Sequence, residues 1–430
     1  MDYLFCHKNS IQEQIFRKKI MNNKTRVSVV KCKSYNKKNL KEAINRCVGL
    51  IGGFKEFLNL HSKIVIKPNL LLPASPERAI TTHPLFIEAV IENIIDITGS
   101  SKNIIIADSF GPAVPYNRTG MEKVYSTTGI LNVAKRTGCR LNYSTEYEYL
   151  SNKEGRILKR IEVIKPIIKA DVIINLPKFK THNLTVITGA IKNMFGIIPG
   201  FTKVGYHLRF DGFEKFSEML LDIVFSVKPA LNIMDGILGI EGEGPGRSGT
   251  PREVGLVLAS DDPISMDIVM SKIMNIDQRL NPFLEVLKKW KIKSYTDNNV
   301  EILGERLSDI IIYDFKHPKN IGQKRIIESN FLNTYILPFI RSSLNPYMYI
   351  DYNKCSLCMT CQNICPQNSI SSSNNKIKFN HRTCIRCFCC SEMCLEGAIG
   401  IKYSFLGNLI FKRLGMAGKL SKKRKAQDAR

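Results

Sequence analysis

Short runs of aliphatic and β-branched residues alternate along the chain with longer segments whose apolar positions recur at helical spacing. The short runs have the length of buried strands, and the longer segments have the period of amphipathic helices. This alternation predicts an α/β fold with a largely parallel sheet flanked by helices. The predicted strands are Val27–Val30, Ile64–Ile66, Ile104–Ile106, Val172–Ile174, Leu231–Ile233 and Val254–Leu258.

The helical segments lie between these strands, and two of them carry start signals. Thr82 can act as an N-cap with Pro84 in the first turn, and Asp262 precedes Pro263 at the first helical position. The predicted helices are Asn39–Asn59, His83–Thr98, Met121–Thr137, Leu184–Phe195, Phe213–Ser226 and Pro263–Met274.

The chain is long enough for more than one domain, because its 430 residues exceed what one hydrophobic core usually supports. Pattern and composition predict five segments. They are a basic N-terminal arm at 1–24, the α/β domain at 25–315, a linker or packing segment at 316–348, a small cysteine-rich α+β domain at 349–402 and a basic tail at 403–430.

A duplicated cysteine spacing near the C-terminus is the strongest chemical signal. Three thiolates at two-residue gaps can surround one face of a 4Fe–4S cubane, whereas zinc sites use two ligand pairs with a longer spacer. The spacing therefore predicts two 4Fe–4S clusters rather than zinc knuckles or disulfides. The two runs are Cys355-x2-Cys358-x2-Cys361-x3-Cys365 and Cys384-x2-Cys387-x2-Cys390-x3-Cys394.

These runs resemble the bacterial two-cluster ferredoxins, in which the fourth cysteine of each run binds the other cluster. The resemblance implies low-potential transfer of single electrons. An additional thiol, Cys389, is interpreted as a non-ligand, because its use in place of Cys390 would break the spacing. The implied ligand sets are Cys355, Cys358, Cys361 and Cys394 for one cluster, and Cys384, Cys387, Cys390 and Cys365 for the other.

The remaining cysteines indicate a reducing compartment. Of 13 cysteines, those outside the two runs are scattered and odd in number, which argues against disulfides. The first twenty residues lack the apolar segment of a secretory signal, and no apolar run is long enough to span a membrane. We therefore expect a cytoplasmic protein.

A net charge of +25 raises the question of nucleic-acid binding. Each oxidised cluster with its four thiolates carries about −2, which removes roughly 4 of that charge. The chain also contains no helix-turn-helix, RNA-recognition or zinc-finger signature. Nucleic acid is therefore disfavoured, and acidic partner proteins or anionic substrates are favoured.

The basic tail allows two interpretations. Phe405, Leu406, Leu409 and Ile410 recur at helical spacing ahead of a lysine-rich segment. Such a helix could contact an anionic membrane surface. We favour the alternative, in which it packs on the ferredoxin-like domain.

Polar residues follow the predicted strands directly, at the edge where open α/β sheets bind ligands. Lys178, Lys180 and His182 alternate, so in an extended segment they face one way. The N-terminus of the helix predicted at Leu184–Phe195 would add positive potential. With Lys67 and Lys192, these residues predict a site for a carboxylate or phosphate.

Four acidic residues are the other candidates at this edge. Asp108 and Asp235 each end a strand, and Glu241 and Glu243 lie in a glycine-rich stretch. The two glutamates could exchange protons or bind a metal, or they could belong to a flexible acidic lid. Asp108 and His182 are further candidates for moving protons.

The order of these motifs resembles the family catalogued as domain of unknown function 362, over about residues 25–315. Members of that family often carry a C-terminal ferredoxin module, and the family has no established reaction. The motifs are Ile66-Lys67-Pro68-Asn69, Thr82-His83-Pro84, Asp108-Ser109, Asn175-x-Pro177-Lys178-x-Lys180-x-His182, Gly189-x2-Lys192-Asn193-x2-Gly196, Asp235-Gly236, Glu241-Gly242-x-Gly244-Pro245 and Ala259-Ser260-x-Asp262.

Three functions are consistent with these residues. The leading hypothesis is an iron–sulfur redox protein that passes single electrons between its clusters and an anionic substrate at the strand ends. The alternatives are a non-enzymatic electron-transfer adapter for another oxidoreductase, and a metal or cofactor assembly factor. The sequence leaves open whether the chain is an enzyme.

Overall fold

The computed structural model describes residues 25–200, 202–292, 294–295, 299–319 and 347–402. The predicted N-terminal arm, the basic tail and most of the predicted linker lie outside these residues. In chain order the strands of the large domain are β1 (Thr25–Lys31), β2 (Ile64–Pro68), β3 (Ile104–Ile106), β4 (Arg140–Leu141), β5 (Tyr147–Ser151), β6 (Arg160–Ile164), β7 (Val172–Leu176), β8 (Lys178–His182), β9 (Val186–Ile187), β10 (Leu231–Gly242), β11 (Gly249–Ser260) and β12 (Val300–Gly304).

Ten of these strands form one mixed sheet in the order β12-β1-β11-β10-β7-β2-β3-β4, with β8 paired to β10 and to β9. Neighbours from β10 through β4 run parallel, whereas β11 is antiparallel to both β1 and β10. Every residue of β2 and β7 is buried, which explains the apolar runs Ile64–Ile66 and Val172–Ile174. The predicted α/β class is confirmed.

Helices cover the sheet and pack on two apolar clusters. They are α1 (Lys37–Gly49), α2 (Pro84–Thr98), α3 (Arg118–Thr127), α4 (Ile130–Thr137), α5 (Lys165–Ile168), α6 (Gly189–Asn193), α7 (Thr202–Arg209), α8 (Phe213–Val227), α9 (Pro263–Ile273) and α10 (Pro282–Lys289).

Three predicted helices differ from the structure for local reasons. The helix predicted as Asn39–Asn59 ends at Gly49, because the chain turns at Gly53, whose φ is 82°. The segment predicted as Met121–Thr137 is two helices, because Gly129 has a φ of 78° that interrupts the helical hydrogen bonds. The helix predicted to begin at Leu184 begins at Gly189, because Val186–Ile187 pairs with β8 as a strand.

Of the two predicted helix N-caps, one is confirmed and the other is wrong. Asp262 caps α9 by accepting from the Ser265 amide at 2.7 Å. The N-cap of α2 is His83, whose imidazole accepts from the Leu85 amide, and not Thr82. The Thr82 hydroxyl instead joins two strand ends, by donating to the Leu176 carbonyl and accepting from the Asn69 amide.

The small C-terminal domain is built from two similar halves. β13 pairs antiparallel with β16, β14 pairs antiparallel with β15, and one short helix contains the third cysteine of each run. Its elements are β13 (Tyr347–Ile350), α11 (Thr360–Asn363), β14 (Ile370–Ser373), β15 (Lys376–Phe379), α12 (Cys389–Glu392) and β16 (Ile399–Lys402).

The glycine-rich segment after β10 brings the two domains together. A Cβ atom added at Gly246 would lie 2.6 Å from the Glu392 carbonyl oxygen, so only glycine permits this approach. Next to it, the Ser248 hydroxyl donates to the Ile399 carbonyl at 3.2 Å. Across the described residues, no helix has the length and apolar character needed to cross a bilayer.

Candidate functional site

The eight cysteines of the two runs lie in two groups, each around its own cavity. The fourth cysteine of each run lies in the group of the other run, and the additional thiol Cys389 borders the second cavity. This is the crossed arrangement that the ferredoxin resemblance implies. One cavity is lined by Cys355, Cys358, Cys361 and Cys394, and the other by Cys365, Cys384, Cys387 and Cys390.

The backbone around the cysteines suits thiolates bound to a cluster. Backbone amides donate to sulfur at 3.2 Å in both runs, from Ser369 to Cys365 and from Ala398 to Cys394. Such N–H···S bonds stabilise negative sulfur and tune cluster potentials. The donor set and its hydrogen bonds therefore fit a 4Fe–4S cluster in each cavity.

A third cavity lies between the large domain and α12. It encloses about 620 Å³ including its opening to solvent. The large domain contributes the segments after β2 and β3, part of β8, and one side of α6 and α7, while α12 contributes Cys389, Glu392 and the adjoining Met393. Residues from the strand ends and from the cysteine domain thus meet in one space.

Cationic side chains dominate this cavity. Lys67, Lys180, Lys192 and Lys203 all line it, against two carboxylates, Asp108 and Glu392. All four lysines are buried. Since buried charge is costly without a counter-charge, an excess of lysine over carboxylate favours binding of an anion.

Lys67 is neutralised by its own partner. Its Nζ lies 2.5 Å from Oδ1 of Asp108, and the other carboxylate oxygen accepts from the Leu70 amide at 3.0 Å. A Cβ at Gly196 would lie 2.0 Å from that Asp108 oxygen, so this glycine is needed for the pair to form. The pair fixes the end of β2 against the end of β3.

Lys180 and Lys203 bind neutral acceptors instead. The Lys180 ammonium donates to Asn69 Oδ1 at 2.9 Å and to the Ile80 carbonyl at 2.7 Å. Burial, reinforced by the charge of Lys192, holds the pKa of Lys180 well below its usual value. Burial likewise lowers the pKa of Lys203 to about 7, and its ammonium donates to Ser109.

A chain of buried amides positions the acceptor for Lys180. Asn69 donates to Asn193 at 2.9 Å, Asn193 donates to Asn175 at 2.7 Å, and Asn175 donates to Asn232 at 2.8 Å. The chain crosses from β2 through α6 to β7 and β10. Each amide is oriented by the next, so Asn69 presents its oxygen to Lys180.

Lys192 differs from the other three lysines. Within the described part of the chain its ammonium makes no hydrogen bond and no ion pair, and it lies 5.8 Å from the ring centres of Phe195 and Phe216. It therefore remains available to a bound anion.

His182 lies beside this cavity and contacts the cysteine domain. Its Nδ1 accepts from the Leu184 and Thr185 amides, so its proton is on Nε2, which lies 2.9 Å from Oε1 of Glu392. The two atoms are not aligned for a hydrogen bond, and the contact is electrostatic. Burial lowers the pKa of His182 to about 4, which favours the neutral ring.

Besides His182, four predicted site residues lie outside the cavity lining. Lys178 and Asp235 form a separate buried pair at 2.6 Å, joined by the Tyr35 hydroxyl. Glu241 and Glu243 instead accept from the backbone amides of Lys316 and Lys319. These contacts hold the segment of Lys316 and Lys319 in place.

The N-terminus of α6 is also occupied. The Asp267 carboxylate accepts from the Ala190 and Ile191 amides at 2.5 and 3.0 Å. A Cβ at Gly189 would lie 2.2 Å from this carboxylate, so the sequence requires glycine there. The expectation that this helix end adds potential for a ligand is wrong, because a side chain of the protein satisfies its amides.

Comparison with known proteins supports this organisation. Residues 64–272 match the sequence model of the family described as "Domain of unknown function (DUF362)", and residues 347–395 match that of a "4Fe-4S dicluster domain". The chain contains a DUF362 domain followed by a 4Fe-4S dicluster domain. It is accordingly an iron–sulfur protein.

One curated relative and one solved structure give further comparisons. The chain is 28% identical over 329 residues to the thylakoid-associated protein sll1697 of Synechocystis sp., covering 75% of this chain and 98% of the relative. It is also similar, at 10% identity and a TM-score of 0.37, to the lactate racemase apoprotein from Thermoanaerobacterium thermosaccharolyticum, covering 58% of this chain and 57% of that one. A likeness at that score carries no argument about function.

The lining residues that sequence reasoning missed include Lys203, His207 and Glu392. Lys203 and His207 are four residues apart on α7 of the DUF362 domain, so helical spacing places them on one face. That spacing was the available signal. No sequence signal pointed to Glu392, because this residue belongs to the dicluster domain and reaches the cavity only through the packing of α12.

Proposed function

We propose that this chain is an iron–sulfur redox protein whose two 4Fe–4S clusters transfer single electrons to or from an anionic ligand in the cavity at the strand ends of the DUF362 domain. The clusters would be held by the two groups of four cysteines. The ligand would be held by Lys180 and Lys192, with Lys67 and Asp108 fixing the floor.

The position of the short helix α12 is the main observation that supports this proposal. α12 places Cys390 in the second cysteine group, while Cys389, Glu392 and Met393 line the anion cavity. Cys389 and Cys390 are consecutive, so their Cα atoms are about 3.8 Å apart. A cluster bound to Cys390 and a ligand in the cavity would therefore be separated by little more than one residue.

The other cysteine group supports a route for electrons from outside. Cys358 is exposed and Cys355 is half-buried, so a cluster there would lie close to the surface. This is where we propose that a redox partner protein docks. The free cysteines are consistent with a reducing compartment, and we propose a cytoplasmic location.

The anion cavity distinguishes this function from the two alternatives. An adapter that only relays electrons has no need of four buried lysines around a cavity. An assembly factor that binds metal through Glu241 and Glu243 is not supported, because these side chains bind the backbone of residues 316–319. The geometry favours a ligand-binding redox site.

Redox titration of the anaerobically purified protein, followed by electron paramagnetic resonance, tests the proposal. Native mass spectrometry should first show the polypeptide with two 4Fe–4S clusters. Removing a positive charge near a cluster disfavours its reduction, so Lys192→Met should lower the midpoint potential of the Cys390 cluster and leave that of the Cys358 cluster unchanged. The exposed Lys123, replaced by Met, is the matched control.

Two results would contradict the proposal. A protein that lacks iron and sulfide when air is excluded would remove its basis. Equal potentials in the Lys192→Met and Lys123→Met variants would show that the cavity and the nearby cluster do not influence each other.

A further inference from the structure

Three polar side chains that line the cavity leave atoms without a partner in the protein. Besides the Lys192 ammonium, the Thr188 hydroxyl and Nδ1 of His207 have no hydrogen-bond partner within the described residues. The exposed fractions of Lys192, Thr188 and His207 are 8%, 3% and 6%. Buried polar atoms without partners cost free energy, so a bound molecule is the natural source of the missing bonds.

These three groups lie close to one another. Thr188 and Lys192 are four residues apart, and the Lys192 amide donates to the Thr188 carbonyl, so their side chains share one side of α6. His207 stacks on Phe216 at 4.3 Å, and the Lys192 ammonium lies 5.8 Å from the same ring. They form one polar group, which we call the head-group contacts.

The charges around the head-group contacts indicate a single negative charge. Asp108 neutralises Lys67, and Lys180 and Lys203 donate to neutral oxygens of the protein. Of the four cavity lysines, Lys192 is thus the one whose ammonium has no acceptor among the described residues. Glu392 also lines the cavity, close enough to Lys192 for their charges to interact, and the proposed cluster beside it would carry about −2, so a doubly charged anion is disfavoured.

The cavity also has a substantial apolar lining. Its apolar residues include Leu71, Pro112, Phe195, Val204 and Met393. A hydrated inorganic ion would leave these walls facing water. A molecule with an apolar body would cover them, and each buried carbon group would add to its affinity.

We infer that the cavity binds an organic monocarboxylate, whose carboxylate contacts Lys192 and Thr188 and whose apolar body lies against Phe195, Leu71 and Met393. This inference rests on the proposed function and names its substrate class. The carboxylate accepts from the Lys192 ammonium and the Thr188 hydroxyl. His207 Nδ1 lies at the edge of the same group.

Calorimetric titration of the holoprotein with oxidised clusters tests the inference, because binding then requires no electron transfer. The probes are benzoate, its neutral isostere benzamide, and inorganic phosphate. Benzoate should bind, and benzamide should bind at least about tenfold more weakly, because a charged hydrogen bond is lost. Phosphate should also bind more weakly than benzoate, because it cannot cover the apolar walls.

Variants locate the binding and separate this inference from the proposed function. Lys192→Met should weaken benzoate binding at least about tenfold with iron content unchanged, Lys192→Arg should restore most of it, and Lys123→Met should have no effect. Tighter binding of phosphate than of benzoate, or equal benzoate affinity in Lys192→Met, would overturn the inference. Benzoate binding without any coupling to the cluster potentials would leave the inference standing and contradict the redox proposal.

Discussion

Asp108→Asn provides the sharpest test of the site's electrostatics. Asparagine has the shape of aspartate and can still accept from the Leu70 amide, so the change removes little except the charge. It leaves the Lys67 ammonium, whose side chain is 0% exposed, without a counter-charge. Breaking a buried ion pair in this way costs about 3–5 kcal/mol.

Tryptophan fluorescence reports this loss within the DUF362 domain. The chain has one tryptophan, Trp290, which lies buried against α8 and α10 of that domain. With a urea dependence of about 3 kcal/mol per M, a loss of about 3–5 kcal/mol lowers the unfolding midpoint by about 1–1.7 M. Anaerobic urea titration of both proteins measures the shift.

Two further variants make the result decisive. Lys67→Met combined with Asp108→Asn removes both charges and should recover a large part of the midpoint. Arg306→Gln breaks an exposed pair with Asp309 and should shift the midpoint by only about 0.1–0.2 M. If Asp108→Asn shifts the midpoint no more than Arg306→Gln, the buried pair is not the determinant that the geometry indicates.

Three other changes test separate parts of the structure. Gly246→Ala should push the dicluster domain away from the cavity and change the electron paramagnetic resonance spectrum of the adjacent cluster. Gly205→Ala is the control, because a Cβ at Gly205 meets nothing within 4 Å and should leave that spectrum unchanged. Identical spectra for the two variants would refute the close approach at Gly246. Burial lowers the pKa of His207 to about 3, so the unfolded chain binds a proton below pH 6.5 that the folded chain does not. The free energy of unfolding should therefore fall as the pH drops from 6.5 toward 3, and it should fall less steeply in His207→Phe. If the urea midpoint changes equally between pH 7 and pH 5 in the original protein and in His207→Phe, this explanation is contradicted. Cys365→Ser should lower the iron content by half or make one cluster labile, whereas Cys389→Ser should retain the full iron content. Loss of iron in Cys389→Ser with full iron in Cys365→Ser would show that Cys389, and not Cys365, is the cluster ligand.

The sequence predicted site residues at the strand ends, and the structure brings four of them to the lining of one cavity: Lys67, Asp108, Lys180 and Lys192. Lys178 alternates with Lys180 in the same strand, yet it forms a separate pair with Asp235. Spacing along a strand fixes the side of the sheet and does not fix which neighbour a long side chain reaches.

The cysteine runs and the strands were readable from sequence because their determinants are local. A gap of two residues sets which thiols can face one cluster, and a run of apolar residues sets burial on both faces of a strand. The cap at Asp262 and the glycine at 129 act within a few residues in the same way.

The cavity itself was decided by tertiary structure. It exists because α12 of the dicluster domain packs over the strand ends, and Gly246 allows that approach. Glu392 and His182 are 210 residues apart in sequence and meet at 2.9 Å. Sequence alone thus determined the iron–sulfur domain, the α/β class and a set of cationic candidates. The order of strands in the sheet and the packing of the two domains decide which lysines lie together, and that they lie beside a proposed cluster. No local sequence pattern encodes either of these features.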